Sequence, residues 1–514
     1  MKQRFMTAAL LAACSAWSFC PLAAQTEVGT ARLVSQSEAP ITLRVNNNYE
    51  GVLVDWGDGN AVLYKEVSGT ERVITGTPAY KGATITITGY SGWDMLDCSE
   101  CQVSELNLMV ATNLKSLYCQ NNLLTELDLS GMTNLVDLDC GNNQIKELIF
   151  TDPSKTEADL PVIENFNVSN NQLSGTFRIR TATLQYVNIA GNQYTTIYVD
   201  SNTGLNTLIC DNNQIKIINV KNSTKLATLL STGNPVTSFQ LSSNTNKGAA
   251  LQQLVISGNT VKGGELDLSD ATQLYDLDVY DCGLTSLIMP AKVTSNTLRL
   301  GKNSLDLGVL PLSAQKPNAL QFEPQATIDI SGATGIIDEN GVPRVDVKEW
   351  ANRTQNTLDL SDYRLIGVRE GATSKPDGEY EWYDVDANGT ETLLKKGTSS
   401  SAPNDYYASN GKFSFFTAHK KAYATVRSKT YDVQVKLSPI VIGTDITAIH
   451  SITDGQGFNV TSESGSLIIT GSESPITVYS VDGRKVWSGR TSTEGTRINL
   501  PRGIYIVNGK KVMN

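Results

Sequence analysis

The chain has 514 residues, 42 Lys+Arg against 52 Asp+Glu, a formal net charge of −10 and a pI near 5.0. With no basic run longer than two residues, it lacks the electrostatic footprint of a nucleic-acid binder. Only two histidines, His419 and His450, are available for a Ser-His-Asp triad, a Cys-His dyad or a three-histidine zinc site, which argues against most hydrolase chemistries. A hydrophobic fraction of 40%, a charged fraction of 18% and 41 glycines, with abundant Asn, Ser and Thr, predict a β-rich chain of several domains.

Lys2 and Arg4 precede an apolar run over 5–13 that continues loosely to Phe19, and Pro21-Leu22-Ala23-Ala24 offers small residues for cleavage. Residues 1–24 therefore read as a secretory signal peptide. Leu11-Ala12-Ala13-Cys14 also resembles a lipobox, so lipidation at Cys14 is the alternative to cleavage near Ala24. No later run of about 18 apolar residues exists, and no membrane span is expected. Over residues 25–94, the stretches 41–45, 51–55 and 83–88 read as strands of an N-terminal β cap. Val54-Asp55-Trp56-Gly57-Asp58-Gly59 resembles the W/F-G-D-G turn of PKD-like β-sandwich modules. Asp55 and Asp58 could hold calcium there, but an Asp-Gly hairpin turn is the more economical account.

Apart from Cys14 and Cys20, the cysteines are Cys98, Cys101, Cys119, Cys140, Cys210 and Cys282, and Cys98, Cys119 and Cys140 stand 21 residues apart. Aligning on that spacing gives LDCSECQV from Leu96, LYCQNNLL from Leu117, LDCGNNQI from Leu138, FNVSNNQL from Phe166, VNIAGNQY from Val187 and LICDNNQI from Leu208. LLSTGNPV from Leu229, LVISGNTV from Leu254, LDVYDCGL from Leu277 and LRLGKNSL from Leu298 bring the series to ten units over residues 95–310. The pattern resembles the leucine-rich repeat. Its 21-residue period, with Cys at the ladder position, is most similar to internalin J-type bacterial surface proteins.

The physics of each unit agrees with this likeness. A short strand whose alternate residues, such as Leu117 and Cys119, point inward cannot bury its apolar face alone, so neighbouring coils must stack into a mainly-β solenoid. Asn122, Asn143, Asn171, Asn192, Asn213, Asn234, Asn259 and Asn303 recur at one position, where an amide can satisfy backbone groups leaving the strand. Cys101 and Cys282 share that slot and can partly substitute. A second alternating run, exemplified by Leu127/Leu129 and Ile218/Val220, predicts that both walls are extended. Longer spacings mark insertions, the largest around 151–161. The cysteines read as small buried hydrophobes; Cys98-Ser99-Glu100-Cys101 has no second C-x-x-C and no nearby histidine to make a metal site.

Residues 311–440 alternate like strands of a sandwich over 379–383, 412–416, 422–426 and 431–437, and resemble an immunoglobulin-like domain without its cysteine pair. Asp384-Val385-Asp386-Ala387-Asn388-Gly389 imitates the start of an EF-hand loop, but position twelve is Lys395, so a hairpin is expected. Residues 441–514 resemble the C-terminal sorting domain of type IX secretion cargo. The likeness rests on Tyr479-Ser480-Val481-Asp482-Gly483-Arg484, on Gly503 and Tyr505 in L-x-x-G-x-Y-x-V, and on Lys510 and Lys511. It implies export across the outer membrane by the type IX machinery, and a secreted or cell-surface location.

With no catalytic constellation or cofactor motif, the candidate working part is the concave strand face. The residues between the inward pairs are Asp97, Tyr118, Asp139, Asn167, Asn188, Ile209, Leu230, Val255, Asp278 and Arg299. Ile209, Leu230 and Val255 are expected to form an apolar stripe, with Tyr118, Tyr186, Asp278 and Tyr280 as further ligand-binding candidates. An enzyme using Asp276 and Asp278 with Asp139 is disfavoured, because these carboxylates are expected to face open solvent. The leading expectation is a non-enzymatic adhesin that binds a host or bacterial surface protein or glycan. The alternative is a carbohydrate-binding or envelope structural protein supporting biofilm.

Overall fold

The computed structural model describes residues 27–46, 51–65, 71–90, 93–108, 110–149, 162–179, 181–199, 202–220, 222–241, 248–290, 296–312, 316–334, 342–347, 358–367, 374–399 and 402–443. Towards the C-terminus it describes 451–453, 458–463, 466–471, 475–480, 485–490, 495–500, 504–507 and 510–513. Two compact units, Met1–Leu226 and Ala227–Asn514, divide the chain. The signal peptide, the insertion around 151–161, His450, Val481–Arg484 and Gly503 lie outside the described residues.

The first unit begins with the cap. Its larger sheet takes Glu27–Ser35, Val52–Asp55, Val62–Tyr64, Ala83–Tyr90 and Val103–Asn107. Ile41–Asn46 pairs antiparallel with Glu71–Gly76 on one side and with the first repeat strand, Met95–Asp97, on the other, so that Val45 faces Leu96. The open edge of the solenoid is thereby hydrogen-bonded instead of left as a pairing template. Alternation buries Leu43, Val45 and Ile74. Trp93 closes this core against Gly89, where a Cβ would stand 1.9 Å from the Trp93 ring; no other residue fits. In the expected calcium turn, Asp55 Oδ1 accepts from Gly57 and Gly59 N–H at 2.8 and 3.1 Å, and Asp58 Oδ1 accepts from Asn60 N–H at 2.9 Å. Both carboxylates thus bond their own hairpin, which joins Val52–Asp55 to Val62–Tyr64.

Six parallel strands follow in this unit: Met95–Asp97, Ser116–Tyr118, Asp137–Asp139, Asn165–Asn167, Tyr186–Asn188 and Thr207–Ile209. Register places Leu96, Leu117, Leu138, Phe166, Val187 and Leu208 in one inward row. A second inward row holds Cys98, Cys119, Cys140, Val168, Ile189 and Cys210, each fully buried. Each large apolar side chain buried this way stabilises the coil by roughly 1.5–3 kcal/mol, and only while a neighbouring coil covers it. The opposite wall is extended as well, with Glu126–Asp128 parallel to Glu147–Ile149, and Ser174–Arg178 parallel to Gln193–Tyr198.

The second unit repeats the scheme with Thr228–Leu230, Gln253–Val255, Asp276–Asp278 and Thr297–Arg299. Parallel pairing continues one rung past residue 310, to Ala319–Gln321. Beyond it, one sheet holds Arg344–Asp346, Ile440–Gly443, His419–Ser428, Gly378–Val385 and Glu391–Leu393, with Gln434–Lys436 paired to His419–Ser428. A second holds Leu358–Asp359, Lys412–Phe415, Tyr406–Ser409, Lys396–Ser399 and Ala402–Asn404. Trp382 of the first sheet meets Phe413 and Phe415 of the second edge-on at 5.5 and 4.9 Å between centroids, which locates the core. This layer is tied to the repeats by Tyr431 Oη donating to Pro311 O at 2.6 Å and Gly367 N–H donating to Leu310 O at 2.7 Å. The EF-hand-like stretch is a hairpin turn, with Asp386 Oδ1 accepting from Asn388 and Thr390 N–H.

The described residues between 451 and 513 form two four-stranded sheets around Val460, Leu467, Ile469, Ile476, Val478, Ile498, Tyr505 and Val507. Tyr505 is buried there, and the strand Lys510–Met513 pairs antiparallel with Ile504–Val507. The fold is therefore mainly β, and among the described residues its one α-helix is the four-residue Ser331–Thr334. Among those residues no helix is long and apolar enough to cross a membrane.

Candidate functional site

Each rung of the strand face is built by two asparagine positions with different tasks. The residue after the strand turn adopts a left-handed backbone: Asn121, Asn142, Asn170 and Asn212 have φ of 58°, 53°, 53° and 53°, Gly191, Gly233 and Gly258 stand at the same position, and Glu100, Asp281 and Lys302 hold it in the other three units at 58°, 57° and 54°. Asn and Gly tolerate this conformation better than other residues, which accounts for the first Asn of each Asn-Asn pair. The second Asn is the ladder residue. Asn122 Oδ1 accepts from Cys101 and Val103 N–H at 3.1 and 2.9 Å, while its Nδ2 donates to Cys98 and Cys119 O at 2.9 and 3.0 Å. Asn143, Asn171, Asn192 and Asn213 repeat the arrangement. In the second unit Asn303 does so, and Gln325 holds the slot one coil later, donating to Leu300 O at 2.9 Å and accepting from Leu305 N–H at 3.0 Å.

The described cysteines are all free and buried. Burial raises the Cys98 and Cys119 thiols well above their ordinary value, helped by neighbouring thiols in the row. The two cysteines in the ladder slot use their S–H as the amide would: Cys101 donates to Thr42 O at 3.3 Å, and Cys282 to Ile256 O at 3.2 Å.

The outward column divides by chemistry. Asp97, Asp139, Asn167, Asn188 and Asp278 each accept the backbone N–H two residues on, at 2.9–3.1 Å, capping the turn that leaves the strand. Three of them also bond across rungs: Asn167 Nδ2 donates to Asp139 Oδ2 at 3.0 Å, and Arg299 Nη1 pairs with Asp278 Oδ2, while Asp97 stands 3.7 Å from Arg44 of the cap. The neighbouring column is joined similarly, with Ser116 and Asn165 donating to Asp137, and Gln253 donating to Asp276 at 2.9 Å.

This corrects the expectation that the acids face open solvent. Asp278 is 4% exposed, because Arg299 from the next coil closes over it and reaches on to Gln321 Oε1 at 3.0 Å. Its acceptor capacity belongs to the scaffold. Tyr280 is half-buried with Lys302 Nζ 5.3 Å and Arg299 Cζ 5.8 Å from its ring centroid. His419 is held between Asp384 Oδ1 at 3.0 Å and Thr417 Oγ1 at 2.8 Å.

Tyr118, Ile209, Leu230 and Val255 occupy the same column without a carboxylate or amide to cap the turn, and all four are half-buried. Leu230 and Val255 are register partners in the second unit; in the first, Ile209 is partnered by Asn188, and Tyr186 by Asn165 and Thr207. Burial, aided by the Asp137 carboxylate, raises the Tyr118 phenol above its ordinary value.

A family model described as "Leucine Rich repeats (2 copies)" matches residues 112–154. No curated protein matches the chain. Among solved structures, the chain is similar to the functional domain of InlJ from Listeria monocytogenes, described as including a cysteine ladder. The identity is 16% and the TM-score 0.30, covering 71% of this chain and 94% of that one. It is also similar to a leucine-rich-repeat protein of Leptospira interrogans, at 20% identity and a TM-score of 0.30, covering 42% of this chain and 62% of that one.

Proposed function

We propose that the chain is a non-enzymatic interaction protein whose repeats bind a protein partner through the strand face, and that it is displayed on or released from a bacterial surface as an adhesin. The observation that carries this reading is the division of the outward column. Every Asp and Asn of the column caps its own turn, and Asp139, Asn167 and Asp278 bond neighbouring rungs as well, whereas Leu230 and Val255 place two half-buried apolar side chains side by side, and Tyr118 and Ile209 interrupt the polar column in the first unit. Apolar and tyrosine side chains of this kind supply most of the affinity at protein interfaces. A glycan would ask for free outward carboxylates and amides, and here those of Asp139, Asn167 and Asp278 are engaged with neighbouring rungs. This favours a protein partner over the carbohydrate-binding, biofilm-supporting alternative.

The sequence of residues 1–24 supports export, and the likeness of 441–514 to a type IX sorting domain supports passage to the surface. In that reading, residues 311–440 act as an immunoglobulin-like spacer. Capture of host and bacterial surface proteins by the mature chain, compared with a Leu230→Asp/Val255→Asp double variant, tests the site. Capture lost in a folded variant is the expected result; capture unchanged excludes this pair.

A further inference from the structure

A second candidate site, independent of the repeat face, lies in the double-sheet layer of the second unit. The strand Gly378–Val385 is covered on its outer side by Glu391–Leu393 only from Tyr383 to Val385, because the chain then crosses to the other sheet as Lys396–Ser399. A cavity of about 490 Å3 opens along the uncovered part, within the range of small-molecule sites, roughly 300–1,000 Å3. Tyr380, Phe413 and Tyr406 line it on the apolar side, with Tyr380 partly exposed, and Asn410 and Glu381 supply polar groups.

Arg364 reaches this cavity from the short 3-10 turn Ser361–Arg364, and the turn is fixed from three directions. Tyr380 Oη donates to Leu360 O, Leu360 N–H donates to Gly411 O at 2.8 Å, and Asp377 N–H donates to Arg364 O at 2.9 Å. Gly378 and Gly411 allow the close approach; a Cβ at Gly378 would stand 2.9 Å from Arg364 Cα, and one at Gly411 would stand 2.7 Å from Ser361 Cα. Most charges around the cavity are already matched. Arg427 pairs with Asp432 and Lys429 with Glu379 at 2.5 Å, while Glu381 accepts from the neutral Tyr383 Oη at 2.8 Å and keeps its charge. Among the described residues, Arg364 and Lys396 have no carboxylate partner, and the buried Arg364 Nε has no hydrogen-bond partner.

We propose that this cavity binds a carboxylate-bearing saccharide unit, with the Arg364 guanidinium taking the carboxylate, Lys396 supporting its charge, and the Tyr380 ring and polar rim holding the sugar. A guanidinium fork matches a carboxylate in two parallel hydrogen bonds, and a positioned fork loses little freedom on binding. The unpaired Arg364 and Lys396 against the unpaired Glu381 leave one net positive charge, which suits a monoanion better than a phosphate dianion.

The test is calorimetric titration of the mature full-length chain with D-glucuronate, D-glucose, acetate and inorganic phosphate, repeated on Arg364→Gln and on Ala408→Phe. The second change fills the cavity from its wall without altering charge. Thermal unfolding checks each variant, and Lys396→Gln replaces Ala408→Phe if that variant does not fold. Glucuronate is expected to bind at least tenfold more tightly than glucose, acetate or phosphate, and at least tenfold more weakly to either variant. No saturable binding by the wild-type chain, equal binding of acetate or phosphate, or unchanged affinity in folded variants would overturn the proposal.

Discussion

The Cys282 thiol donates to the Ile256 carbonyl at 3.2 Å, the bond that the Asn303 amide makes to Val279 O at 2.8 Å one coil later. Cysteine therefore occupies two distinct environments in this chain. In the ladder slot it is a weak donor facing a carbonyl; in the inward strand row, as at Cys119, it is packed as a hydrophobe. Asparagine should distinguish them. Cys282→Asn is expected to change stability by less than about 1 kcal/mol, while Cys119→Asn buries an unpaired amide and costs about 2–5 kcal/mol. Denaturant unfolding of the two variants measures the difference, and equal losses would refute the distinction.

The two asparagines of an Asn-Asn pair should separate just as clearly. Asn121 is exposed with φ of 58°, so Asn121→Gly is expected to stay within about 0.5 kcal/mol of the parent. Asn122→Ala removes the partner of buried N–H groups at Cys101 and Val103 and of carbonyls at Cys98 and Cys119. At about 1–3 kcal/mol for each buried group left unsatisfied, a loss of at least 3 kcal/mol is expected. Urea midpoints at constant m-value provide the comparison.

Thiol ionisation sets an alkaline limit. Burial pushes the Cys101 thiol up to about 11 and the Cys282 thiol to about 12, from an ordinary 9.0. The native state holds these protons more tightly than the unfolded chain does. The resulting stabilisation is thus complete below the unfolded value and is lost as pH rises from about 9 through the folded values near 11 and 12. Thermal midpoints should be level through neutral pH and fall above about pH 9. Iodoacetamide at pH 8 should label these cysteines only after unfolding; rapid labelling of the native chain would contradict their burial.

Much of this was legible in the sequence because repetition multiplies a weak signal. A single L-x-C strand of three residues is not recognisable, but ten copies, eight with Asn and two with Cys at one offset, define the inward rows, the ladder and both extended walls. Alternation alone misjudged Asp278, since it predicts which side of a strand a residue faces and not what the next coil lays over it. Arg299, 21 residues on, converts an outward carboxylate into a buried one. The left-handed task of Asn121 and its equivalents was also missed, although the doubled Asn was its signal.

The pair of buried Asp278 with exposed Arg299 carries its own test. Asp278→Ala removes the cap on Tyr280 N–H and leaves Arg299, still partly exposed, without its carboxylate. Because that guanidinium can turn to solvent, the expected loss is about 1–3 kcal/mol, below the roughly 3–5 kcal/mol of a fully buried pair broken on one side. Partner capture should survive in the folded variant if Asp278 serves the scaffold. Selective loss of capture without loss of stability would return Asp278 to the binding face.

Gln325 sets the last rung apart from those before it. Its amide repeats the ladder bonds, accepting from Leu305 N–H and donating to Leu300 O, yet its side chain is only half-buried, so water can replace part of what a truncation removes. Gln325→Ala should therefore cost about 1 kcal/mol, well below Asn122→Ala, and its effect should be local. Hydrogen exchange reads this directly: the Leu305 amide should lose protection while the Val103 amide, held by Asn122 in the first unit, keeps it. Equal deprotection of both amides would mean that the ladder melts as one cooperative element instead of fraying from its terminal coil.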